Sequence, residues 1–178
     1  MDNQTTRDRI VFLRGLRSVR EFRPDPVPQA VVDDLVEVAR WSGSARNQQP
    51  WELVIVRNRE MLAALAALDG YAAHLAGAAL GIVLVMAGER EETETFDEGK
   101  VSERIMLAAA AHGVGSCIGW FKDDGRAGAK ALLGIPAARI VRTAISLGYP
   151  DEAARRERPK RDDVRKPVSE ILHEERYG

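Results

Sequence analysis

Two guanidiniums and a hydroxyl, the groups proteins use to bind phosphate, lie close together near the N-terminus. Arg17, Ser18 and Arg20 fall within one four-residue segment. The Arg side chain offers a planar fork of donors that matches phosphate oxygens, and its charge-assisted bonds are stronger than neutral ones. Considered alone, the segment is better explained as a solvated basic turn. A phosphate-binding function can be argued only together with other segments of the chain.

A second polar segment, Ser42–Trp51, combines hydroxyls, amides and Arg46 ahead of a Pro-Trp pair. Side-chain amides pair with both the donor and the acceptor edges of a planar heterocycle. A loop that uses Ser, Gly and Asn for backbone reasons explains the same composition. This segment, too, is not diagnostic by itself.

Other familiar signatures are absent from the sequence. Gly113 and Gly115 are followed by Gly119, so the dinucleotide-binding spacing G-x-G-x-x-G is missed by one residue. The three His are scattered and Cys117 is the only cysteine, so we expect neither a metal site nor an intrachain disulfide. No Walker loop or Ser-His-Asp arrangement is evident.

Composition favours one soluble globular domain over residues 1–178. The 26 basic and 27 acidic residues give a net charge of -1, so we expect no nucleic-acid partner and no membrane partner. The longest apolar run, residues 78–87, is too short to span a bilayer. Residues 1–9 lack the apolar core of a signal peptide, and we therefore expect a cytoplasmic protein.

Hydrophobic periodicity predicts the elements that must position these segments. Helices are predicted over residues 5–16, from Pro28 onward, and over 61–68, 71–76, 95–112 and 127–133, with a short amphipathic end at 168–173. Strands are predicted over residues 52–57, 82–86, 116–121 and 139–147. Residues 17–27 and 42–50 are predicted loops.

The long helix carries two specific expectations. Thr95 and Glu98 have the spacing of a capping box, so we expect the helix to begin there and to end before Gly113. Residues 105–111 are apolar on all sides, which predicts a helix buried by its neighbours or one at a subunit interface. The charged segment 151–166 is expected to be a solvated tail or an arm that packs on a partner.

Six sequence blocks, two of them within the segments described above, occur in a fixed order along the chain. They are Arg17–Phe22, Ser44–Trp51, Gly113–Phe121, Leu133–Pro136, Leu147–Pro150 and Arg165–Val168. Any single block is weak evidence, but together they run collinearly across nearly the whole chain. In this order the chain resembles the FMN-dependent nitroreductase family.

The resemblance implies an α+β, nitroreductase-like fold. Its central, mostly antiparallel sheet of four to five strands would be surrounded by helices. The protein would be a homodimer with FMN in a groove shared by both subunits. NADH or NADPH would reduce the flavin, and a small-molecule electron acceptor would then replace the nicotinamide in a ping-pong cycle.

Site residues carry over position by position. Arg17 and Ser18 would bind the flavin phosphate, with Arg165 returning to it, and Arg20 would reach the pyrimidine edge of the ring. Ser44, Asn47 and Gln49 would line the ring or the ribityl chain. Gly119 and Trp120 match the backbone that approaches the ring, since glycine permits close approach. The flavin carries the chemistry, so no catalytic side chain is expected.

Three positions depart from the family pattern. Leu16 stands where a basic residue is frequent, and the glycine block lacks a Trp, which leaves the match of Gly119 and Trp120 uncertain by one residue. Asp163 replaces another frequent cation, for which Lys160 or Arg161 could substitute.

The implied function is hydride transfer from NAD(P)H through FMN to nitroaromatic or quinone-type acceptors. Two alternatives stay open at this point. One is another flavin reaction on the same fold, namely dehalogenation, dehydrogenation or flavin fragmentation. The other is a non-catalytic flavin or deazaflavin binder, which the departures at Leu16 and Asp163 leave possible.

Overall fold

The computed structural model describes residues 3–157 and 165–177. Its helices are α1 Asn3–Gly15, α2 Gln29–Arg40, α3 Arg59–Ala66, α4 Glu91–Ala111, α5 Asp123–Leu133 and α6 Glu152–Glu157. Short 3-10 turns cover Ala45–Asn47, Ala73–Gly77 and Val168–Glu170. The strands are β1 Trp51–Val56, β2 Leu80–Met86, β3 Gly115–Trp120 and β4 Ile140–Gly148.

In this part of the chain the four strands form one antiparallel sheet in the order β1-β2-β4-β3. The predicted α+β class and mostly antiparallel sheet are confirmed. Central strand β2 is buried along its whole length, which explains its continuous apolar sequence. β1 and β3 are the two edges, and the residues of the predicted site lie near both.

Each face of the sheet is covered by one pair of helices. Helices α2 and α4 cover one face, and α3 and α5 cover the other. The first core contains Val32, Leu35, Ala39, Ile82, Leu84, Ile105, Ala109 and Ile145. The second contains Leu62, Leu65, Val83, Val85, Phe121 and Ala129. On α2 the residues Val32, Leu35 and Ala39 are buried in this core, whereas Val36 is 39% exposed.

The predicted start of the long helix is wrong, because α4 begins at Glu91. Thr95 lies inside the helix, where its hydroxyl donates to the carbonyl of Glu91. The carboxylate of Glu94 instead accepts the backbone N–H groups of residues 88, 89 and 90 at 2.8–3.0 Å. Burial by itself raises the pKa of Glu94, but these donors outweigh it and hold the pKa below its ordinary value.

The second half of α4 is buried on one side only. Ile105 and Ala109 are inaccessible, whereas Leu107, Ala108 and Ala110 are half-buried and Ala111 is exposed. The single chain thus does not bury this stretch on all sides, and the alternative, a helix at a subunit interface, stays a prediction. Although α4 has 21 residues, neither it nor any other helix in the described ranges is long and apolar enough to cross a membrane.

Arg142 on β4 anchors the first half of α4. Its side chain is 3% exposed, and its Nε donates to the Glu98 carboxylate at 2.9 Å while Nη1 reaches Glu91 at 2.9 Å. Glu98 is itself buried, so each charge depends on the other.

We expect Arg142→Met to lower the free energy of unfolding by about 3–5 kcal/mol, because it leaves the buried Glu98 carboxylate without its partner. Urea denaturation measures the loss. The control is the double variant Arg142→Met with Glu98→Leu, which removes both charges and should recover much of the stability. Equal losses in the single and double variants would contradict this explanation.

Candidate functional site

The outer edge of β3 brings together residues from three parts of the chain. Ser18 forms a parallel bridge with Ser116, and the Val19 N–H donates to the Ser116 carbonyl at 2.8 Å. The segment after α1 therefore pairs with the start of β3 at Ser18 and Val19, and it then passes to Pro150, with which Phe22 forms a bridge. Ser18 and Arg20 are exposed there, close to the strand that carries Gly119 and Trp120.

Gly119 is required by packing within the chain. A Cβ at this position would lie 3.0 Å from Ala72 and 3.2 Å from Cε1 of His74. The absent side chain thus makes room for the Ala73–Gly77 turn beneath the strand. The sequence assigned this glycine to close approach of a ligand, and the structure adds this second reason.

His74 is a polar residue beneath the β3 edge that the sequence did not single out. Its Nδ1 lies 2.7 Å from the hydroxyl of Ser146, which donates to the Cys117 carbonyl at 3.3 Å. Burial, and after it the positive charge of Arg20, lowers the pKa of His74 below its ordinary value. His74 is therefore neutral at neutral pH, and Arg20 lies close enough to influence it.

Ile118 and Trp120 present an exposed apolar surface at the same edge. They are two residues apart on β3, so they point to the same face, and they are 45% and 43% exposed. The Trp120 carbonyl accepts the Tyr71 N–H at 2.6 Å, and the Arg126 guanidinium lies 5.4 Å from the indole ring. A flat apolar molecule could lie against this strip.

The loop before β1 holds Ser44, Asn47 and Gln49 in a strained conformation. Arg46, Asn47 and Gln49 have φ angles of 54°, 54° and 49°, in the left-handed region that non-glycine residues rarely adopt. The hydroxyl of Ser44 accepts the Gln49 N–H at 2.8 Å and closes the loop. Backbone strain of this kind clusters at functional sites.

Asp97 on α4 fixes this loop from below. Its Oδ2 accepts the Ala45 N–H at 3.1 Å, and its Oδ1 pairs with Lys100 at 2.6 Å. The carboxylate is buried, whereas Asn47 and Gln49 are exposed. No sequence signal marked Asp97, because its partner is 52 residues away.

The Arg17 side chain lies on a different surface from those of its neighbours Ser18 and Arg20. It lines a separate cleft with Val19 and Ser116, and its Nη1 donates to the carbonyls of Arg14 and Leu16 at 2.7 and 2.8 Å. Arg165 is exposed, at the start of the second described range. The predicted substitutes Lys160 and Arg161, like Asp163, lie outside the described residues.

The single chain thus separates the predicted residues into two groups. Ser18 bridges β3, the strand that carries Gly119 and Trp120, and Arg17 and Arg20 flank it in the same segment, whereas residues 44–49 precede β1 at the opposite edge. Three inter-strand spacings of a sheet amount to about 14 Å. Helices α2 and α4 cover the face between the two edges.

Comparison with known proteins identifies a family and several relatives that this chain resembles. A sequence model described as "Nitroreductase family" matches residues 13–79. A protein of Methanothermobacter thermautotrophicus named "Putative NADH dehydrogenase/NAD(P)H nitroreductase" is 31% identical over 150 residues, which are 82% of this chain and 78% of that protein.

Two solved structures share the fold at 22% identity each. An FMN-dependent nitroreductase from Clostridium difficile R20291 has a TM-score of 0.81, with 94% of this chain and 99% of that chain covered. An NADPH:FMN oxidoreductase from Vibrio harveyi, complexed with NAD+, has a TM-score of 0.79, with 95% and 77% covered. From its sequence blocks, its fold and these matches, the chain belongs to the nitroreductase family.

Proposed function

We propose that this protein is an FMN-dependent oxidoreductase that uses NADH or NADPH to reduce nitroaromatic or quinone-type acceptors. The observation that carries the proposal is the β3 edge, where Ser18 bridges the strand that carries Gly119 and the exposed Trp120, and where the charge of Arg20 acts on His74 next to Gly119. Cations, a hydroxyl and an apolar strip in one place suit a ligand with an anionic group and a planar ring. The names of the related proteins support the same cofactor.

The polar groups at this edge fit a flavin. The hydroxyl of Ser116 is buried and has no hydrogen-bond partner among the described residues. Such a group is stabilised when a bound molecule completes its hydrogen bonding. Arg17 and Ser18 would reach the phosphate end from the two surfaces of their extended segment, and Gly119 and Trp120 would face the ring.

Arg20 would set the electrostatics of the ring edge. When bound, the flavin supplies hydride transfer between the nicotinamide and the acceptor. A guanidinium beside its pyrimidine edge stabilises negative charge there. Because His74 is held neutral by burial and by Arg20, it adds no second positive charge beneath the edge.

A second copy of the chain would complete the site. Asn47 and Gln49 lie near the β1 edge, whereas Arg20 lies near the β3 edge. Within one chain these three side chains therefore do not reach the same flavin ring. The apolar residues of α1 support such an interface, because they are exposed, together with the half-buried end of α4. They are Ile10, Val11, Phe12 and Leu13, which are 40–66% exposed.

We expect the purified protein to bind FMN, and Arg20→Gln to weaken that binding roughly tenfold or more through loss of a charge-assisted contact. The two-electron potential of bound flavin should fall by about 30–60 mV, because the reduced form loses its cation. Fluorescence titration and redox titration measure these effects.

Arg23→Gln is the matched control, since Arg23 pairs with Asp25 in solvent. Identical behaviour of the two variants would contradict the role of Arg20, and a wild-type protein that cannot bind FMN would contradict the proposal.

Heterodimers test whether two chains share each site. Arg20→Ala and Asn47→Ala chains are co-expressed with different tags, and dimers carrying both tags are purified. In a two-fold symmetric dimer, one site then keeps both native residues, so we expect about half of the wild-type activity per dimer. Doubly tagged Arg20→Ala homodimers are the control. If the mixed dimers are as inactive as this control, each site belongs to one chain.

The reaction class is tested with initial rates. We expect NADPH or NADH oxidation to depend on a nitrofuran or a quinone, with parallel double-reciprocal lines, because nicotinamide and acceptor use the same surface in turn. Oxygen as the sole acceptor is the control. Faster turnover with oxygen alone would favour a different flavin reaction, and failure of either nicotinamide to reduce the bound flavin would favour a non-catalytic binder.

A further inference from the structure

His74 and Ser146 form a polar pair beneath the β3 edge, beside the second core of the sheet. Ser146 is fully buried on β4, and Nδ1 of His74 lies 2.7 Å from its hydroxyl. That hydroxyl donates its only proton to the Cys117 carbonyl at 3.3 Å, so it offers His74 an oxygen lone pair. The hydrogen-bond network therefore assigns the proton of the neutral imidazole to Nδ1.

The other ring nitrogen of His74, Nε2, can accept a second proton. Nε2 is buried and makes no hydrogen bond of good geometry among the described residues. Burial, and after it the charge of Arg20, lowers the pKa of His74, against the opposing effect of the nearby Ile118 and Tyr71 backbone. The ring is thus neutral in the resting protein, but it lies among groups that would stabilise its protonated form.

His74 also packs directly against the strand that is proposed to face the flavin ring. Its Cε1 would lie 3.2 Å from a Cβ at Gly119, so no side chain separates the imidazole from the backbone of β3. Cys117 shares the Gly119 side of the strand, whereas Ile118 and Trp120 project from the other side. Since charges interact strongly over short distances in buried surroundings, a charge placed at this edge acts on His74.

We propose that His74 takes up a proton when bound flavin is reduced, and that it thereby compensates the negative charge gained at the ring. This inference rests on the proposed function. A hydride carries one proton and two electrons, so its transfer from the nicotinamide adds one negative charge at the flavin. This charge offsets the effect of Arg20 on the imidazole, and one proton from solvent then binds Nε2. The proton returns to solvent when the acceptor removes the hydride.

Proton NMR of the full-length protein with bound FMN observes the ring directly, because the chain has only 3 histidines. The His74 signal is identified by elimination, with His112→Gln and His173→Gln. We expect its titration midpoint to move to higher pH when the flavin is reduced with dithionite. His112 pairs with Asp34 at 3.0 Å at the end of α4, and its signal is the internal control that should not move.

Redox titration over a range of pH counts the same proton. Uptake of two protons with two electrons changes the flavin potential by about 60 mV per pH unit, and uptake of one proton changes it by about 30 mV. Near neutral pH we expect the steeper slope for the wild-type protein and the shallower one for His74→Gln. His112→Gln is the matched control, and it should keep the wild-type slope.

Two results would overturn the inference. One is a His74 signal that titrates identically with oxidised and reduced flavin. The other is an equal slope of potential against pH in the wild-type protein and His74→Gln. The NMR measurement is made with a native His74, so it does not depend on the folding of His74→Gln. A wild-type protein that binds no FMN would instead contradict the proposed function, and this inference with it.

Discussion

Burial of three carboxylates on the first half of α4 is the constraint on which the rest of the structure depends. Glu94, Asp97 and Glu98 are each 3% exposed, and buried charges are stable only when they are paired. Glu94 gathers the backbone that follows β2, Asp97 holds the strained loop before β1, and Glu98 binds Arg142 of β4. The first turns of α4 thereby fix three segments that are distant in sequence. One of them, the loop before β1, is one half of the proposed flavin site.

These pairings also explain which parts of the fold were predictable from the sequence. The strands were located to within a few residues because continuous apolar runs and central burial coincide, as in β2. The start of α4 was predicted wrongly because the spacing of Thr95 and Glu98 matches a local capping pattern. In the structure the Glu98 carboxylate instead accepts a hydrogen bond from Arg142, 44 residues away. Helix α5 also begins before its predicted start, at Asp123, and includes Gly125, where a Cβ would lie 2.0 Å from the Asp69 carbonyl oxygen. A glycine required by such tertiary packing resembles a helix breaker in the sequence.

The candidate site was predictable only where family blocks recorded it. Ser18, Arg20, Gly119 and Trp120 were named from those blocks, and the fold brings them to one strand edge. Ser116 lies in the same Gly113–Phe121 block, yet nothing in its type or spacing indicates that its hydroxyl is buried without a partner among the described residues. The burial of Ser116 depends on the segment after α1, which pairs with β3 at this residue, and no local spacing in the sequence expresses that tertiary contact.

The extended segment after α1 distributes its side chains between two surfaces. Arg17 and Val19 line the cleft beside Ser116, whereas Ser18 and Arg20 do not, and the charge of Arg20 acts on His74 beneath the β3 edge. Neighbouring residues of an extended chain point to opposite sides, so this division follows from the backbone rather than from residue type. Under the proposed function, the two cations serve the two ends of an elongated ligand, its phosphate and its ring. A shift of one residue would exchange the two surfaces, and the spacing of the arginines therefore matters more than their number.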